Sequence, residues 1–227
     1  MANLQVGGQP LLAALVDLDG TLVDTLGDFQ VTLNRMLVEL GLPEVGRAEV
    51  ETRVGKGSEH LVRQTLALAL AAAEAERLFD TALAAYQRHY AEVNGQHATV
   101  FPGVLEGLQQ LREQGLRLAC ITNKPTGFAR ALLQQKGLLP YFALVVGGDA
   151  FARKKPDPLP LLESCRLLAV APARSLMIGD SQNDAQAAAG AACPVALATY
   201  GYNHGEPIRA TPALAYFDRL DQLQLPG

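Results

Sequence analysis

The sequence predicts an α/β fold in which a parallel, doubly wound sheet is interrupted by an all-helical insertion. Two observations lead to this prediction. Short apolar runs alternate with amphipathic segments over most of the chain, whereas residues 25–98 contain no strand-like run. The length of 227 residues is roughly 1.5 times a typical domain of about 150 residues, which fits one core with an insert.

Apolar runs with β-branched residues or Gly-bounded ends predict the strands of the sheet. They are Leu11–Val16, Leu116–Ile121, Ala143–Val146, Ser175–Ile178 and Val195–Leu197. Segments of helical period lie between them: Gly103–Gln114, Phe128–Lys136 and Pro158–Leu168. Strands that alternate with helices in this way form right-handed βαβ units and a parallel sheet. In such sheets the functional site lies beyond the carboxyl ends of the strands.

The insertion is rich in helix-forming residues, and Leu66–Tyr90 is strongly helical by propensity. Its boundaries are predicted near Val23–Asp24 and Ala98–Thr99. The sequence thus predicts a core made of residues 1–24 and 99–227 and a helical cap domain made of residues 25–98.

Composition excludes several classes of protein. The formal net charge of −4 lacks the basic footprint of a nucleic-acid-binding protein. The longest purely apolar run, Leu66–Ala73, is far shorter than the roughly 20 residues of a membrane span. No Lys or Arg precedes Arg35, so the charged head of a signal peptide is missing. The three cysteines form no CxxC pair and are predicted to be buried free thiols, which favours a reducing, cytoplasmic setting.

The first predicted strand ends in an acidic segment, Asp17-Leu18-Asp19-Gly20-Thr21-Leu22-Val23-Asp24. Asp17 and Asp19, two residues apart in extended chain, project to the same side. Two close carboxylates repel each other, and a bound divalent cation or a shared proton relieves the repulsion. One of them can then act as a nucleophile while the other serves as acid and base. An Asp-rich turn or helix cap is the simpler interpretation of this segment taken alone.

The other strand ends add the groups that phosphoryl transfer requires. Thr122 follows the second strand, Lys155 follows the third, and Gly179-Asp180-Ser181-Gln182-Asn183-Asp184 ends the fourth. Each is ordinary by itself, as a turn, a solvated charge or a helix cap. Together they supply carboxylates for Mg²⁺ and donors that spread charge over phosphoryl oxygens.

These four segments resemble the four motifs of the haloacid dehalogenase superfamily, and DxDGTLxD is specific to it. More narrowly, the chain is similar to bacterial phosphoglycolate phosphatases in several short segments. These are Val54-Gly55-Lys56-Gly57, Thr122-Asn123-Lys124-Pro125, Val146-Gly147-Gly148-Asp149, Lys155-Pro156, Gly179-Asp180-Ser181 and Tyr200-Gly201-Tyr202-Asn203. The resemblance implies a Rossmann-like core with an inserted helical cap domain, a Mg²⁺ cofactor and a phosphoaspartyl intermediate.

The resemblance also implies a role for each matching residue. Asp17 corresponds to the nucleophile and a metal ligand. Asp19 corresponds to the general acid and base, whose backbone carbonyl also binds the metal. Lys155 corresponds to the lysine that neutralises the phosphate and the nucleophile.

Four further residues match the family pattern. Thr122 corresponds to the phosphate-binding hydroxyl, and Asn123 supplies adjacent backbone contacts. Asp180 corresponds to an acidic metal ligand, and Asp184 to a second acid that orients the metal shell or the lysine. One departure from the family is Val16, which stands in the place of the usual aromatic residue.

Selection of the substrate is expected from the cap. Lys56 and Arg63 lie near a Gly-flanked turn, where a basic group could hold a small carboxylate such as that of glycolate. Lys56 stands where close relatives often carry Asn. The competing interpretation is that this turn only begins a helix at the surface. Three histidines, His89, His97 and His204, have no partner at metal-ligand spacing and are predicted to be surface or packing residues.

The predicted activity is hydrolysis of 2-phosphoglycolate, a phosphoric monoester. A phosphatase or mutase of the same superfamily acting on a sugar phosphate, such as N-acetylmuramate 6-phosphate, shares every core motif. A receiver-type signalling domain also combines acidic residues, Thr and Lys, but the insertion and Asp19 argue against it. The expected partner is a small phosphate ester, with no nucleic acid and no membrane. The sequence leaves open whether the protein is a monomer or a homo-oligomer.

Overall fold

A computed structural model describes residues 4–226, and its centre is a six-stranded parallel sheet with the strand order β10-β9-β8-β3-β6-β7. The α/β prediction is therefore confirmed. The sheet strands are β3 (Ala13–Val16), β6 (Arg117–Ile121), β7 (Leu144–Val146), β8 (Ser175–Gly179), β9 (Val195–Ala198) and β10 (Ala215–Phe217). Four shorter strands form two antiparallel pairs: β1 (Gln5–Val6) with β2 (Gln9–Pro10), and β4 (Val23–Asp24) with β5 (Thr99–Val100).

The register of the central strands brings their carboxyl ends to one edge. Val16, the last residue of β3, pairs with Cys120 of β6 on one side and Ile178 of β8 on the other. All four residues of β3 are buried, because helices cover both faces of the sheet. The residues that follow these three strands therefore meet in one crevice.

Eight α-helices accompany the strands within residues 4–226. They are α1 (Leu26–Glu39), α2 (Arg47–Glu51), α3 (Ser58–Leu66), α4 (Ala72–Val93), α5 (Val104–Glu113), α6 (Thr126–Gln135), α7 (Leu159–Leu168) and α8 (Gln182–Ala191). Helices α5 and α6 bury their apolar residues in the core on one face of the sheet. Helices α7 and α8 do so on the opposite face, which makes the sheet doubly wound as predicted.

Helices α1 to α4 lie between β4 and β5 and have an apolar core of their own. The two strands where the chain leaves and re-enters the main fold pair with each other, Asp24 with Thr99. The buried carboxylate of Asp28 fixes the return, because it accepts hydrogen bonds from the backbone N–H groups of Gly95 (2.6 Å) and His97 (2.7 Å). We propose on this basis that the division into core and cap follows the boundaries given above.

Two expectations from the sequence were wrong in detail. The predicted helix Leu66–Tyr90 is broken, since α3 ends at Leu66 and α4 begins at Ala72. Helical propensity favours continuity here, but a straight helix would separate the apolar faces of α3 and α4. The break lets both faces pack into one cap core, and this burial outweighs propensity. The sixth strand, β10, was also not predicted.

The remaining predictions of secondary structure agree with the structure to within two residues at each end. The three cysteines are free and buried, as expected. Within residues 4–226, none of the helices combines the length and apolar character that crossing a membrane requires.

Candidate active site

Asp17, Asp180 and Asp184 converge at the carboxyl edge of the sheet. One carboxylate oxygen from each lies within 4.8 Å of the others, and all three residues are buried. Lys155 lies among them, with its Nζ 2.8 Å from Asp17 Oδ1 and 2.7 Å from Asp184 Oδ1. Its third contact is the carbonyl oxygen of Ile121, at 2.6 Å. The structure therefore brings together residues that lie up to 167 positions apart, as their positions at the ends of parallel strands predicted.

Asp180 is held in a cradle that requires glycine. It follows β8 and accepts hydrogen bonds from the hydroxyl of Thr21 (2.8 Å) and the backbone N–H of Tyr202 (2.6 Å). A Cβ on Gly20 would lie 2.2 Å from Asp180 Oδ2, and one on Gly201 would lie 2.2 Å from Asp180 Cβ. Because neither contact is sterically possible, glycine at both positions lets two loops close around this carboxylate.

Asp184 links Lys155 to the start of α8. Its Oδ2 accepts hydrogen bonds from the backbone N–H groups of Asp180 (3.2 Å) and Ser181 (3.1 Å) and from the Ser181 hydroxyl (2.9 Å). This is a capping box, which fixes the carboxylate rigidly. Of the two roles considered for Asp184, the contacts favour orientation of Lys155.

Burial and the neighbouring carboxylates raise the pKa values of Asp17 and Asp180. Burial raises the pKa of Asp17 to about 7, an effect that Lys155 opposes and the charge of Asp184 reinforces. Burial, together with the charges of Asp17 and Asp184, also raises the pKa of Asp180 far above its usual range. For Lys155, burial favours the neutral amine, but the two neighbouring carboxylates outweigh burial and raise its pKa. Such perturbed groups at a strand edge are typical of active sites.

The same cluster fits a hard divalent cation. Three carboxylates and one ammonium leave an excess of negative charge, and Mg²⁺ prefers oxygen ligands of this kind. Asp17 and Asp180 are the residues best placed to hold it, because the oxygens of Asp184 are largely engaged with Lys155 and the α8 backbone. The side chain of Asp19 lies outside this cluster.

Asp19 instead forms an ion pair with Lys124, which was not identified as a site residue from the sequence. Lys124 Nζ lies 2.8 Å from Asp19 Oδ1 and 3.1 Å from Oδ2, and only 2% of the Lys124 side chain is exposed. A signal was present, because Lys124 follows Thr122 by two residues at a strand end and can project to the same side.

A cavity of about 520 Å³, including its open mouth, connects this edge to the cap. The core lines it with Asp17, Asp19, Thr122, Asn123 and Lys124. The cap lines it mainly with apolar and aromatic residues: Phe29, Val54, Leu61, Tyr86 and Tyr90.

Asn123 joins the core to the cap across this cavity. Its Nδ2 donates to the carbonyl oxygen of Gly55 in the cap (2.9 Å) and to that of Lys155 in the core (2.8 Å). Asn183 donates to the same Gly55 oxygen at 3.3 Å. One cap carbonyl therefore receives two amide donors from the core, which holds the cap loop over the cavity.

Comparisons with known proteins identify the family of this chain. The sequence model of the haloacid dehalogenase-like hydrolases matches residues 14–198. The chain belongs to this family. It is 45% identical over 199 residues to a phosphoglycolate phosphatase of Thiobacillus denitrificans, covering 88% of each chain. It is 44% identical over 214 residues to a plasmid-encoded phosphoglycolate phosphatase of Cupriavidus necator, covering 94% of this chain and 92% of that one.

A solved structure is also similar to this haloacid dehalogenase-like hydrolase over nearly its whole length. The crystal structure of a predicted phosphoglycolate phosphatase from Haemophilus somnus superposes with a TM-score of 0.88 at 33% identity. The match covers 93% of this chain and 95% of that one. The resemblance stated from the motifs is thereby confirmed.

The two cap residues expected to bind substrate do not line the cavity of this hydrolase. Arg63 pairs with Glu76 on α4, and its guanidinium lies 3.5 Å from the centroid of the Phe79 ring. The structure therefore does not bring Arg63 to the site, because this exposed ion pair and stacking contact hold it elsewhere. Lys56 is half-buried beside the Gly55–Gly57 turn, near His60 and His204 rather than at the carboxylates.

Proposed function

We propose that this chain is a Mg²⁺-dependent phosphatase that hydrolyses 2-phosphoglycolate to glycolate and phosphate through an aspartyl phosphate on Asp17. The observation that carries the proposal is the position of Asp17 between Lys155 and Asp180, with Asp19 two residues further along. The names of the most similar relatives support the substrate, since both curated proteins above are phosphoglycolate phosphatases.

In the first step a carboxylate oxygen of Asp17 attacks the phosphorus atom. A new O–P bond forms, the P–O bond to glycolate breaks, and its electron pair leaves with the glycolate oxygen. Asp19 gives that oxygen a proton as it departs. The Lys155 ammonium and the Thr122 hydroxyl would contact the phosphoryl oxygens and balance their charge.

In the second step water attacks the phosphorus atom of the aspartyl phosphate. Asp19, now a carboxylate, accepts a proton from that water, and the bond between Asp17 and phosphorus breaks. Phosphate leaves and Asp17 is restored. Asp19 thereby returns to its protonated starting state, as turnover requires.

Asp17 and Asp180 would hold Mg²⁺, with Asp184 behind them and the Asp19 backbone carbonyl as a further ligand implied by the family. Mg²⁺, when bound, would add Lewis-acid stabilisation of the phosphoryl oxygens. The excess negative charge of the cluster supports this cofactor.

The cap suits a small substrate, because aromatic side chains and the Asn123–Gly55 contact enclose the cavity. Lys56 at the margin of the cavity is a candidate for contact with the substrate. We propose a cytoplasmic protein, supported by three buried free thiols. Its partner is a small phosphate ester, and nucleic acid or membrane binding has no support in the charge of the chain.

Release of phosphate from a panel of esters with Mg²⁺ tests the proposal. The panel contains 2-phosphoglycolate, glucose and ribose phosphates, N-acetylmuramate 6-phosphate and nucleoside monophosphates. We expect 2-phosphoglycolate to lead in kcat/KM by at least about a hundredfold, roughly 2.7 kcal/mol of transition-state discrimination. If a sugar phosphate leads, the substrate is wrong and the alternative is correct. If nothing is hydrolysed with Mg²⁺ present, the phosphatase proposal fails.

A further inference from the structure

One cation in the cavity has no role in the reaction described above. Among the described residues that line the cavity, Lys124 carries the only positive charge. Lys155 contacts Asp17 but does not line the cavity itself. Its side chain is 2% exposed and contacts both carboxylate oxygens of Asp19. An ammonium has three N–H donors, so one remains for a second anion.

The surroundings of Lys124 strengthen any ionic contact that it makes. Its Nζ lies 4.5 Å from the centroid of the Phe29 ring and 5.0 Å from that of Tyr90. These aromatic groups from the cap exclude water, and charges attract each other more strongly where water is excluded. Tyr90 also lines the cavity, and its buried hydroxyl has no hydrogen-bond partner among residues 4–226. Burial raises its pKa, so this hydroxyl keeps its proton and can donate it to an anion.

We propose that Lys124 determines substrate selection: its ammonium, with the Tyr90 hydroxyl as a second donor, binds the carboxylate of a short phosphate ester whose ester oxygen lies at Asp19. This inference rests on the proposed function and deepens it. It assigns the carboxylate to a core residue, whereas the sequence directed attention to Lys56 and Arg63 in the cap.

The distances restrict the length of the substrate. Asp19 must contact the ester oxygen to protonate it, and Lys124 contacts Asp19 at 2.8 Å. A carboxylate bound by Lys124 therefore lies within a few bonds of the ester oxygen. In 2-phosphoglycolate a single CH₂ group separates the two. A sugar phosphate places a neutral, bulkier carbon chain at the same point, against Phe29 and Tyr90.

Lys124→Met tests the inference with two esters that differ in one group. The substrates are 2-phosphoglycolate and 2-hydroxyethyl phosphate, in which CH₂OH replaces the carboxylate. We expect kcat/KM for 2-phosphoglycolate to fall by at least about a hundredfold, as when one member of a buried charged pair is removed. The loss for 2-hydroxyethyl phosphate should be at least about ten times smaller, because that ester has no charge for Lys124 to bind. Lys136→Met, which removes a lysine bonded to the Gly95 carbonyl outside the cavity, is the matched control.

Equal losses on both esters would overturn the inference, because Lys124 would then only position Asp19. No loss on either ester would overturn it as well. Lys124→Arg keeps the charge and should restore part of the preference for 2-phosphoglycolate, which guards against a folding defect in the Met variant.

A binding measurement separates this inference from the proposed function. In an Asp17→Asn background, calorimetric titration with 2-phosphoglycolate should show binding weakened at least tenfold by Lys124→Met. Unchanged binding would overturn the assignment. If the wild-type protein hydrolyses no ester, the proposed function fails, and this titration still decides whether Lys124 binds the carboxylate.

Discussion

The two walls of the cavity are built in different ways. The core wall is polar, and its charged groups are held by oppositely charged partners, as Asp17 is by Lys155 and Asp19 is by Lys124. The cap wall is aromatic, with Tyr90 between Tyr86 and Phe29 at centroid distances of 5.5 and 5.6 Å. The core thus supplies reactive groups in fixed positions, and the cap supplies shape and exclusion of water. The two functions should therefore respond to mutation differently.

Asp17→Asn should produce the largest effect and confine it to chemistry. The amide is not a nucleophile, so kcat should fall by at least about 10³-fold. Because burial raises the pKa of the Asp17 carboxyl, a neutral isostere at this position should leave the folded state intact. Phosphate release and thermal unfolding measure the two quantities. A variant that retains more than a few per cent of the activity would rule out Asp17 as the nucleophile.

Lys155→Met should damage both activity and stability. It leaves Asp17 and Asp184 buried without their shared cation, which costs about 3–5 kcal/mol of unfolding free energy. Urea unfolding should show this loss, and activity should fall by about 10²-fold or more. The double variant with Asp17→Asn should be less destabilised than the sum of the two single changes, since one buried charge is then removed. Strict additivity would show that the two side chains are not coupled.

Asp180→Asn should weaken the cofactor more than the fold. The Mg²⁺ concentration for half-maximal activity should rise at least about tenfold, because the variant removes a proposed ligand. For the wild-type protein, Mg²⁺ at about 100 times its Kd should raise the unfolding free energy by about 2.7 kcal/mol. Asp80→Asn on exposed α4 serves as the matched control. An unchanged Mg²⁺ requirement would exclude Asp180 as a ligand.

Asn123→Ala should affect the cap rather than the chemistry. It removes the donor to the Gly55 carbonyl, and one or two hydrogen bonds of about 1 kcal/mol each predict a rise in KM of roughly five- to thirtyfold. Asn183→Ala, whose donor is more distant at 3.3 Å, should raise KM less. Steady-state kinetics with 2-phosphoglycolate distinguishes the two. A reversed order would mean that Asn123 acts mainly through Lys155.

His204 should give the smallest effect, a dependence of stability on pH at the contact between core and cap. Burial, with the charges of Lys56 and His60, lowers the pKa of this half-buried residue below its usual 6.5. The unfolded chain therefore binds a proton at a higher pH than the folded protein, so this contribution to stability is fully present above pH 6.5 and is lost as pH falls below it. Asn183 Nδ2 lies 3.1 Å from His204 Nε2 and must donate to it, which also favours the neutral ring.

His204→Asn removes the titrating group, and Asn tolerates the backbone φ of 53° at this position. Urea unfolding at pH 7.5 and 5.5 should show a smaller loss of stability on acidification for the variant than for the wild type. An equal loss in both proteins would assign the pH dependence to other groups.

The contrast between the two walls also explains what could be predicted from the sequence. Asp17, Thr122 and Asp180 could be placed at one edge because parallel strands end there, whatever their separation along the chain. The insertion was recognisable from the absence of strand-like runs. The strand Ala215–Phe217 was missed because it contains no β-branched residue and no glycine bounds it.

Individual side-chain contacts around the cavity depend on tertiary packing and could not be predicted. The ion pair between Lys124 and Asp19 joins residues 105 positions apart, and no local pattern requires it. Likewise, Tyr90 lies on a long amphipathic helix, where position along the chain does not tell which aromatic residue faces the cavity. Packing also decides where Arg63 lies, because this basic residue near a glycine-flanked turn pairs with Glu76 and does not line the cavity.

The central claim is that Asp17 carries the phosphoryl group. Rapid acid quench during turnover of 2-phosphoglycolate, followed by borohydride reduction, would convert an aspartyl phosphate to homoserine, which peptide mass spectrometry locates. We predict homoserine at position 17, dependent on both substrate and Mg²⁺ and absent from the Asp17→Asn variant. Homoserine at another aspartate, or none at any position while phosphate is being released, would contradict the account.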